Sequence, residues 1–316
     1  MSAPQAAVEA EGVSKRFDTA PALDGVSFRV EPGELFGFIG PDGAGKTTLF
    51  RILTTLLVPD AGTARVLGMD VVGDLWALRR RVGYMPGRFS LYQDLSVEEN
   101  LRFFATVFGT TVEREYELIR PIYEQIEAFR KRRAGALSGG MKQKLALSCA
   151  LVHRPEILFL DEPTTGVDAV SRREFWDLLG DLRAGGLTIV VSTPYMDEAD
   201  RCDRVALIQR GRILAVDRPA EIGARYGRPL FAVQGDPRSR LIGALRAFPH
   251  AYSAYPFGET LHYTDARAGA APAVVEQELR AYLQAEGFQG VEVWPIAAGI
   301  EDSFMALMGA PEAIGS

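Results

Sequence analysis

The segment Gly40–Thr48 (GPDGAGKTT) is the most informative part of the sequence, because it matches the phosphate-binding loop pattern G-x-x-x-x-G-K-[ST]. It follows a short apolar and aromatic stretch, Glu34 to Gly40, that predicts a strand, and it leads into a predicted helix over Thr47 to Leu57. Glycines let the backbone wrap a phosphate closely and aim several N–H groups at it, and the helix start adds its positive dipole end. We therefore predict that Lys46 contacts the outer phosphates and that Thr47 ligates Mg²⁺.

An acidic pair follows a second apolar strand. The stretch Ile157 to Leu160 (ILFL) predicts a buried strand, and Asp161, Glu162 and Pro163 come directly after it. A strand ending in aspartate would place that carboxylate near the magnesium, and Glu162 then stands where it can polarise an attacking water. Taken alone, such a pair is also compatible with a helix cap. It indicates a nucleotide site because the same chain carries the phosphate loop. We predict Asp161 as a metal ligand and Glu162 as the catalytic residue.

The third motif is Leu137-Ser138-Gly139-Gly140-Met141, which lies at a predicted helix start. A serine followed by two glycines presents a hydroxyl and free N–H groups that suit an anion. In isolation this pattern is typical of a helix cap. Its position between the phosphate loop and the acidic pair favours a functional role.

Together the three motifs resemble the ATP-binding cassette of ABC transporters over roughly residues 7 to 222. The resemblance implies ATP and Mg²⁺ as cofactors, and it implies that the Leu137–Met141 signature reaches across a dimer to nucleotide held by a second cassette. It also implies that Phe17 stacks on adenine, an ordinary edge-strand phenylalanine being the alternative, and that Asp168 belongs to a dimer-contact loop. The residues expected to bind ATP are Phe17, Gly40, Pro41, Asp42, Gly43, Ala44, Gly45, Lys46, Thr47 and Thr48.

Three further segments narrow the resemblance to ATPases of ABC-2-type drug exporters, and in particular to the first cassette of proteins that carry two in tandem. They are Gly83 to Tyr92, Ser192 to Ala199 (STPYMDEA) and the terminal IEDSFMALMG. The resemblance implies a polytopic membrane permease and a second cassette, either a paralogue or a copy of this chain, as partners. It further implies that Phe89, Leu91 and Tyr92 receive a cytoplasmic helix of the permease.

Two residues that are usual in this family are missing. Gly87 stands where a glutamine normally touches magnesium and the attacking water, and Pro194 stands where a histidine normally senses the γ-phosphate. Proline offers neither a side-chain donor nor a backbone N–H. None of the three histidines lies near Pro194 in sequence, and Gln93 is a remaining substitute for Gly87. We expect slow hydrolysis at this chain's own site and an intact signature that completes the partner's site.

Composition sets the broad class. The 316 residues are 47% hydrophobic and 24% charged, which excludes a disordered or fibrous chain. The net charge of −6 disfavours a free nucleic-acid binder. Two cysteines are too few for a disulfide framework, and neither a secretory signal nor about 18 uninterrupted apolar residues occur. We expect a peripheral protein at the cytoplasmic face of the cell membrane.

The predicted architecture is an α/β cassette of the P-loop NTPase type, with a mixed sheet and a helical subdomain, followed by a smaller α+β domain. Within residues 1–225, strands such as Leu187 to Ser192 alternate with helices and favour a largely parallel, doubly covered sheet. A helical subdomain is expected over about 94–150, starting at the capping box of Ser96 and Glu99. Residues 226–316 show a βαββαβ order, which predicts a ferredoxin-like accessory domain.

Three functions remain open from the sequence. The first is an energy-coupling ATPase subunit of an exporter. The second is a nucleotide-gated regulatory cassette that binds ATP with little hydrolysis. The third is a soluble ABC ATPase without a transport role, which the single cassette, the net charge and the absence of a long coiled coil disfavour.

Overall fold

The computed structural model describes residues 5–18 and 20–309. The chain divides between Pro219 and Ala220 into two compact units. The pattern of predicted strands and helices places this boundary six residues later, after residue 225.

The first unit is built on a six-stranded sheet with the order β10-β9-β3-β8-β7-β6. Its strands are β3 (Leu35–Ile39), β6 (Val82–Met85), β7 (Ile157–Asp161), β8 (Thr188–Thr193), β9 (Arg204–Gln209) and β10 (Arg212–Asp217). All neighbours pair in parallel except β9 and β10, so five strands end at one edge of the sheet. The predicted parallel sheet is present, with one antiparallel edge strand.

A second, antiparallel sheet lies in the same unit and was not predicted. Its order is β2-β1-β4-β5, formed by β1 (Val8–Phe17), β2 (Ala20–Val30), β4 (Ala61–Val66) and β5 (Met69–Asp70). Register shifts interrupt the β1–β2 and β1–β4 ladders, and they break the strict alternation of apolar and polar residues that would have revealed these strands. The sequence therefore predicts a mixed sheet, which is confirmed, but not the separate antiparallel sheet.

Aromatic rings join the two sheets beneath the phosphate loop. Phe28 of the antiparallel sheet meets Phe38 of β3 edge-on at 4.8 Å between ring centroids. Phe38 meets Phe50 at 5.9 Å, and Phe50 meets Phe159 of β7 at 5.8 Å. Phe50 belongs to the helix after the phosphate loop, so this fully buried core fixes that helix against both sheets.

The helices of the first unit are α1 (Lys46–Leu53), α2 (Leu75–Arg79), α3 (Val97–Val107), α4 (Tyr116–Glu127), α5 (Gly139–Leu151) and α6 (Ala169–Ala184), and α7 (Pro219–Ala224) lies at the division between the units. Helix α1 ends four residues earlier than predicted. The Thr54 hydroxyl donates to the Phe50 carbonyl at 2.7 Å, and Thr55 adopts a left-handed φ of 64°. These local features end the helix.

Helices α3, α4 and α5 form the helical insertion. The capping box is confirmed: the Glu99 N–H donates to the Ser96 hydroxyl, and the Glu99 side chain accepts from the Ser96 N–H. The fully buried Asn100 exchanges hydrogen bonds of 3.0 Å with both backbone groups of Tyr92. Asn100 thus fixes the end of the loop that starts at Gly87.

The second unit is a four-stranded antiparallel sheet with helices. Its elements are β11 (Leu230–Gln234), α8 (Arg238–Ala247), β12 (Ala251–Phe257), β13 (Thr260–Asp265), α9 (Pro272–Ala285), β14 (Glu292–Ile296) and α10 (Ile300–Gly309). The strand order β12-β13-β11-β14 with this connectivity is that of a ferredoxin-like split βαβ sheet. Apolar residues from the strands, α8 and α9 form its core.

Helix α10 is fastened to this sheet by a buried carboxylate. Asp302 is 2% exposed, and its Oδ1 lies 2.6 Å from both the Tyr255 hydroxyl, which donates, and His262 Nδ1. Its Oδ2 accepts from the Gly299 N–H at 2.8 Å. Burial acts to raise the pKa of the Asp302 carboxyl, but these hydrogen bonds outweigh burial and hold the pKa below its usual value.

Asp302→Ala should destabilise the second unit by about 3 kcal/mol, because it leaves several buried polar groups without a partner. Hydrogen exchange of the β13 amides, followed by mass spectrometry, measures this loss. Since the folded pKa is lowered, the stabilisation by Asp302 is present above the unfolded value of about 3.9 and is lost as the pH falls through the folded value. The exposed Glu286→Ala is the control, and equal exchange in both variants would contradict the prediction.

Candidate nucleotide-binding site

The phosphate loop connects β3 to α1, and two of its glycines are required by close contacts. A Cβ on Gly45 would lie 2.4 Å from the Ala22 carbonyl oxygen, and Gly45 has a left-handed φ of 106°. A Cβ on Gly40 would lie 2.1 Å from the Ile208 carbonyl oxygen. Only glycine fits at either position, so the neighbouring strands shape the loop.

Lys46 is buried inside this loop. Its Nζ donates to the carbonyl oxygens of Gly40 and Pro41 at 2.7 and 3.0 Å and lies 3.1 Å from Glu162 Oε1. The Lys46 side chain is 2% exposed and that of Glu162 23%. The ammonium is thus held by two carbonyl groups and one carboxylate at a cavity of about 140 Å³. The cavity is lined by Ala22, Gly43, Ala44, Gly45, Lys46, Thr47, Thr48 and Glu162.

Asp161 and Glu162 lie at the end of β7, as the sequence predicted. Asp161 is 2% exposed, and its Oδ1 accepts a hydrogen bond of 2.6 Å from the Ser192 hydroxyl. Burial and the negative charge of Asp161 raise the pKa of the Tyr84 hydroxyl to about 12, so Tyr84 stays neutral at physiological pH. The Asp161 carboxyl group therefore lies near the neutral hydroxyl groups of Ser192 and Tyr84.

The donor set fits magnesium. Thr47 lines the cavity, and Asp161 directly precedes Glu162, which also lines it. Hydroxyl and carboxylate oxygens, together with substrate phosphates, are the hard ligands that Mg²⁺ takes in nucleotide sites. Thr47 and Asp161 would hold the ion.

Phe17 lies at the end of β1, and its side chain is exposed. It pairs with Ala20 across the hairpin, two residues before Ala22, whose carbonyl contacts Gly45. The Lys15 Nζ lies 6.0 Å from the Phe17 ring centroid. An exposed ring on the hairpin that touches the loop suits stacking on a base, the role predicted for it.

The signature segment and the predicted dimer-contact loop lie side by side. A Cβ on Gly140 would lie 2.6 Å from the Ser171 hydroxyl, and one on Gly139 would lie 3.3 Å from the Gly166 carbonyl oxygen. Ser138 caps α5 by accepting from the Met141 N–H at 3.4 Å. The two segments therefore form one surface.

Asp168 caps α6. Its Oδ1 accepts from the N–H groups of Val170 and Ser171 at 3.1 and 3.0 Å. These bonds, above all that from Ser171, lower the pKa of the Asp168 carboxyl. Any contact of Asp168 with a partner comes in addition to this structural role.

Gly87 and Pro194, which stand where the family usually has glutamine and histidine, lie in different surroundings. A Cβ on Gly87 would lie 2.9 Å from the Asp161 carbonyl oxygen, so the backbone itself packs against the end of β7. Pro194 follows β8 directly. Gln93 is the remaining substitute for Gly87. Its backbone carbonyl oxygen accepts a hydrogen bond of 2.9 Å from the Gly135 N–H.

Sequence reasoning missed a polar network at the end of β8. The buried Glu198 accepts from the Thr164 hydroxyl at 2.8 Å and from the Thr193 hydroxyl. The Tyr195 N–H donates to Thr193 Oγ1 at 3.0 Å. Glu198 thus ties the loop of Pro194 to the loop that precedes Asp168. The signal available in the sequence was the pair Ser192–Thr193 at the end of an otherwise apolar strand.

Comparison with known proteins identifies similar chains. A family model described as "ABC transporter" matches residues 23–165. The chain is 38% identical over 312 residues to a Nod factor export ATP-binding protein I of Burkholderia lata, covering 97% of this chain and 98% of that protein. It is 44% identical over 220 residues to a probable multidrug ABC transporter ATP-binding protein of Escherichia coli. That match covers 69% of this chain but only 38% of the relative's length.

Solved structures share the fold. A dimeric ATP-binding cassette in a post-hydrolysis state with ADP and Pi matches with a TM-score of 0.61 and 25% identity, over 67% of this chain and 98% of that one. An ATP-binding subunit of an ABC transporter matches with a TM-score of 0.63 and 28% identity, over 70% of this chain and 93% of that one. The expected cassette fold is thereby confirmed.

Gly45→Ala should abolish binding of a fluorescent ATP analogue, because the new Cβ would overlap the Ala22 carbonyl and force the loop to move. Gly109→Ala is the control, since Gly109 also has a left-handed φ, of 71°, but a Cβ there meets nothing within 4 Å. Both variants should lose about 1 kcal/mol to backbone strain. Titration of the analogue separates them: Gly45→Ala binding as well as Gly109→Ala would show that the close contact does not shape the loop.

Proposed function

The chain belongs to the family of ABC transporter ATP-binding proteins, and from that premise we propose that it is one cassette of an asymmetric pair that couples ATP hydrolysis to export through a separate membrane subunit. Its own site hydrolyses ATP slowly, and its Leu137–Met141 signature completes the site of the second cassette. The single observation that carries this proposal is an otherwise complete nucleotide site with Gly87 and Pro194 at two positions.

Nucleotide binding follows from the loop geometry. The outer phosphates replace the Glu162 carboxylate beside the Lys46 ammonium, which is 3.1 Å away in the structure. Lys46 would then neutralise phosphate charge, and Thr47 and Asp161 would hold Mg²⁺, which would supply further positive charge beside the phosphates. Released from Lys46, Glu162 is available to polarise the attacking water.

Slow hydrolysis follows from what surrounds that water. Gly87 has no side chain to orient it, and Pro194 has neither a side-chain donor nor an N–H to contact the γ-phosphate. The loss of one preorganised transition-state contact costs about 10²–10³ in rate. Among the histidines, His153 is engaged elsewhere, since its Nε2 lies 3.1 Å from the Val82 carbonyl and its ring stacks on Phe108.

The signature is built to act on a partner. Ser138, Gly139 and Gly140 begin α5, whose N-terminal N–H groups and dipole favour a phosphate. The segment packs beside the loop of Gly166 and Asp168, so both would face a second cassette together. A dimer of this kind would place the signature on nucleotide held by the other chain.

The purified chain should show ATP turnover at least tenfold below that of Pro194→His, which restores a donor at the γ-phosphate position. Gly87→Gln combined with Pro194→His should be faster still if the loop yields to the added side chain. Steady-state phosphate release at saturating MgATP measures all three. Brisk turnover by the unaltered chain, equal to that of the double variant, would refute the asymmetric pair.

Ser138→Arg in the double variant provides the matched control for this experiment. It should leave binding of a fluorescent ATP analogue within about twofold and should abolish the regained hydrolysis, because the blocked signature serves the facing site. If the unaltered chain binds ATP but restores no hydrolysis when it is mixed with the Ser138→Arg double variant, its signature does not serve a partner, and the regulatory cassette is favoured instead.

A groove in the first unit suits the membrane partner. It has a volume of about 460 Å³, and its lining includes Trp76, Phe89, Leu91, Val107 and Phe108. Trp76 is 70% exposed, which is unusual for so large an apolar side chain. Pro86 also lines the groove, next to Gly87, so an occupant would contact the loop that packs on Asp161.

The predicted third residue of that surface, Tyr92, is exposed and packs edge-on against Phe103 at 4.8 Å. Every helix within residues 5–18 and 20–309 is too short or too polar to span a bilayer. Because the groove is apolar and exposed, the proposed occupant is a cytoplasmic helix of a polytopic permease, which would hold the chain at the cytoplasmic face of the membrane. The names of the relatives, multidrug transport and Nod factor export, support export as the direction of transport.

Trp76→Glu should strongly reduce the fraction of the chain that sediments with membranes of its own cells, while nucleotide binding stays unchanged. The added carboxylate must be desolvated when an apolar helix enters the groove. Val58→Glu is the control, because Val58 is 59% exposed and does not line the groove. Equal membrane fractions for both variants would place the docking surface elsewhere.

A further inference from the structure

We propose that Ser192 is a positioning residue of the nucleotide site: its hydroxyl sets the direction of the Asp161 carboxylate and fixes the backbone of Glu162. This inference rests on the proposed function, since it concerns how the same site receives magnesium. Ser192 itself touches neither the metal nor the nucleotide.

The sheet register places Ser192 beside Asp161. Strands β7 and β8 pair in parallel with Asp161 opposite Ser192, so the two side chains leave the sheet at the same level. The Ser192 hydroxyl donates to Asp161 Oδ1 at 2.6 Å, a short bond of the kind that a hydroxyl makes with a carboxylate. The carboxylate is therefore oriented before any metal arrives.

The same hydroxyl holds Glu162. The Glu162 N–H donates to both Ser192 Oγ and the Ser192 carbonyl oxygen, each at 3.0 Å. Glu162 has a left-handed φ of 50°, which is costly for a residue other than glycine and persists only where its surroundings enforce it. Because the hydroxyl donates to Asp161 and accepts from Glu162, its own orientation is fixed as well.

The hydrogen bonds of Ser192 are buried, so their loss is not compensated by solvent. Ser192 is 0% and Asp161 2% exposed, so water does not readily replace a lost bond. Without the hydroxyl, one carboxylate oxygen stays buried with its hydrogen bond missing, and the left-handed residue keeps only one acceptor. Removal of Ser192 Oγ should therefore act on the metal ligand and on the catalytic carboxylate at once.

The test compares Ser192→Ala with the unaltered full chain. Mn²⁺ binding to the complex with a non-hydrolysable ATP analogue is followed by electron paramagnetic resonance, and binding of fluorescent ADP is measured in EDTA. Mn²⁺ affinity should fall about tenfold, the size expected for one hydrogen bond to a charged group. ADP affinity without metal should change less than twofold. Unchanged Mn²⁺ affinity overturns the inference.

Two controls separate positioning from packing. Ser148→Ala removes another fully buried serine hydroxyl, which donates to the Lys144 carbonyl at 2.9 Å within α5, and it should leave Mn²⁺ affinity unchanged. Ser192→Thr and Ser192→Val have the same shape and differ only in the hydroxyl, so Thr should retain Mn²⁺ binding and Val should lose it, even if Ser192→Ala folds poorly. Equal affinities for Thr and Val overturn the inference. Failure of the unaltered chain to bind the nucleotide would instead refute the proposed function.

Discussion

A buried ammonium group that needs an anion is the constraint on which the rest of the site depends. Lys46 lies among carbonyl oxygens in a loop with almost no solvent, and such a charge is tolerated only when it is paired. In the structure Glu162 supplies the negative charge. In the proposed function, the phosphates of a nucleotide would supply more negative charge and would release the Glu162 carboxylate. Nucleotide binding and the release of the proposed catalytic group would then be one exchange of partners around the Lys46 ammonium.

The sheet delivers these groups to one place. The carboxyl ends of β3, β7 and β8 meet at the same edge, and ligands of α/β proteins bind at this edge. The phosphate loop leaves β3, the acidic pair leaves β7, and the Ser192–Thr193 pair ends β8. Register, rather than local sequence, therefore decides which polar groups touch.

This distinction explains what could be predicted from the sequence. The phosphate loop, the strand before Asp161 and the capping box at Ser96 depend on neighbours within a few residues, and all three occur where predicted. The antiparallel sheet was missed because irregular pairing blurs its alternation. Ser192 and Glu198 were missed because their partners are distant in sequence, at Asp161 and Thr164. Roles across a dimer depend on a second chain, so neither the sequence nor one chain's geometry specifies them.

The close approach of Gly87 to the Asp161 carbonyl also bears on how such a chain can change over generations. Once the backbone has filled the space beside the strand, regaining a glutamine needs a compensating shift of the loop and not one codon alone. A lineage that has taken this step would keep its division of labour through steric entrenchment, even under selection for two equal cassettes.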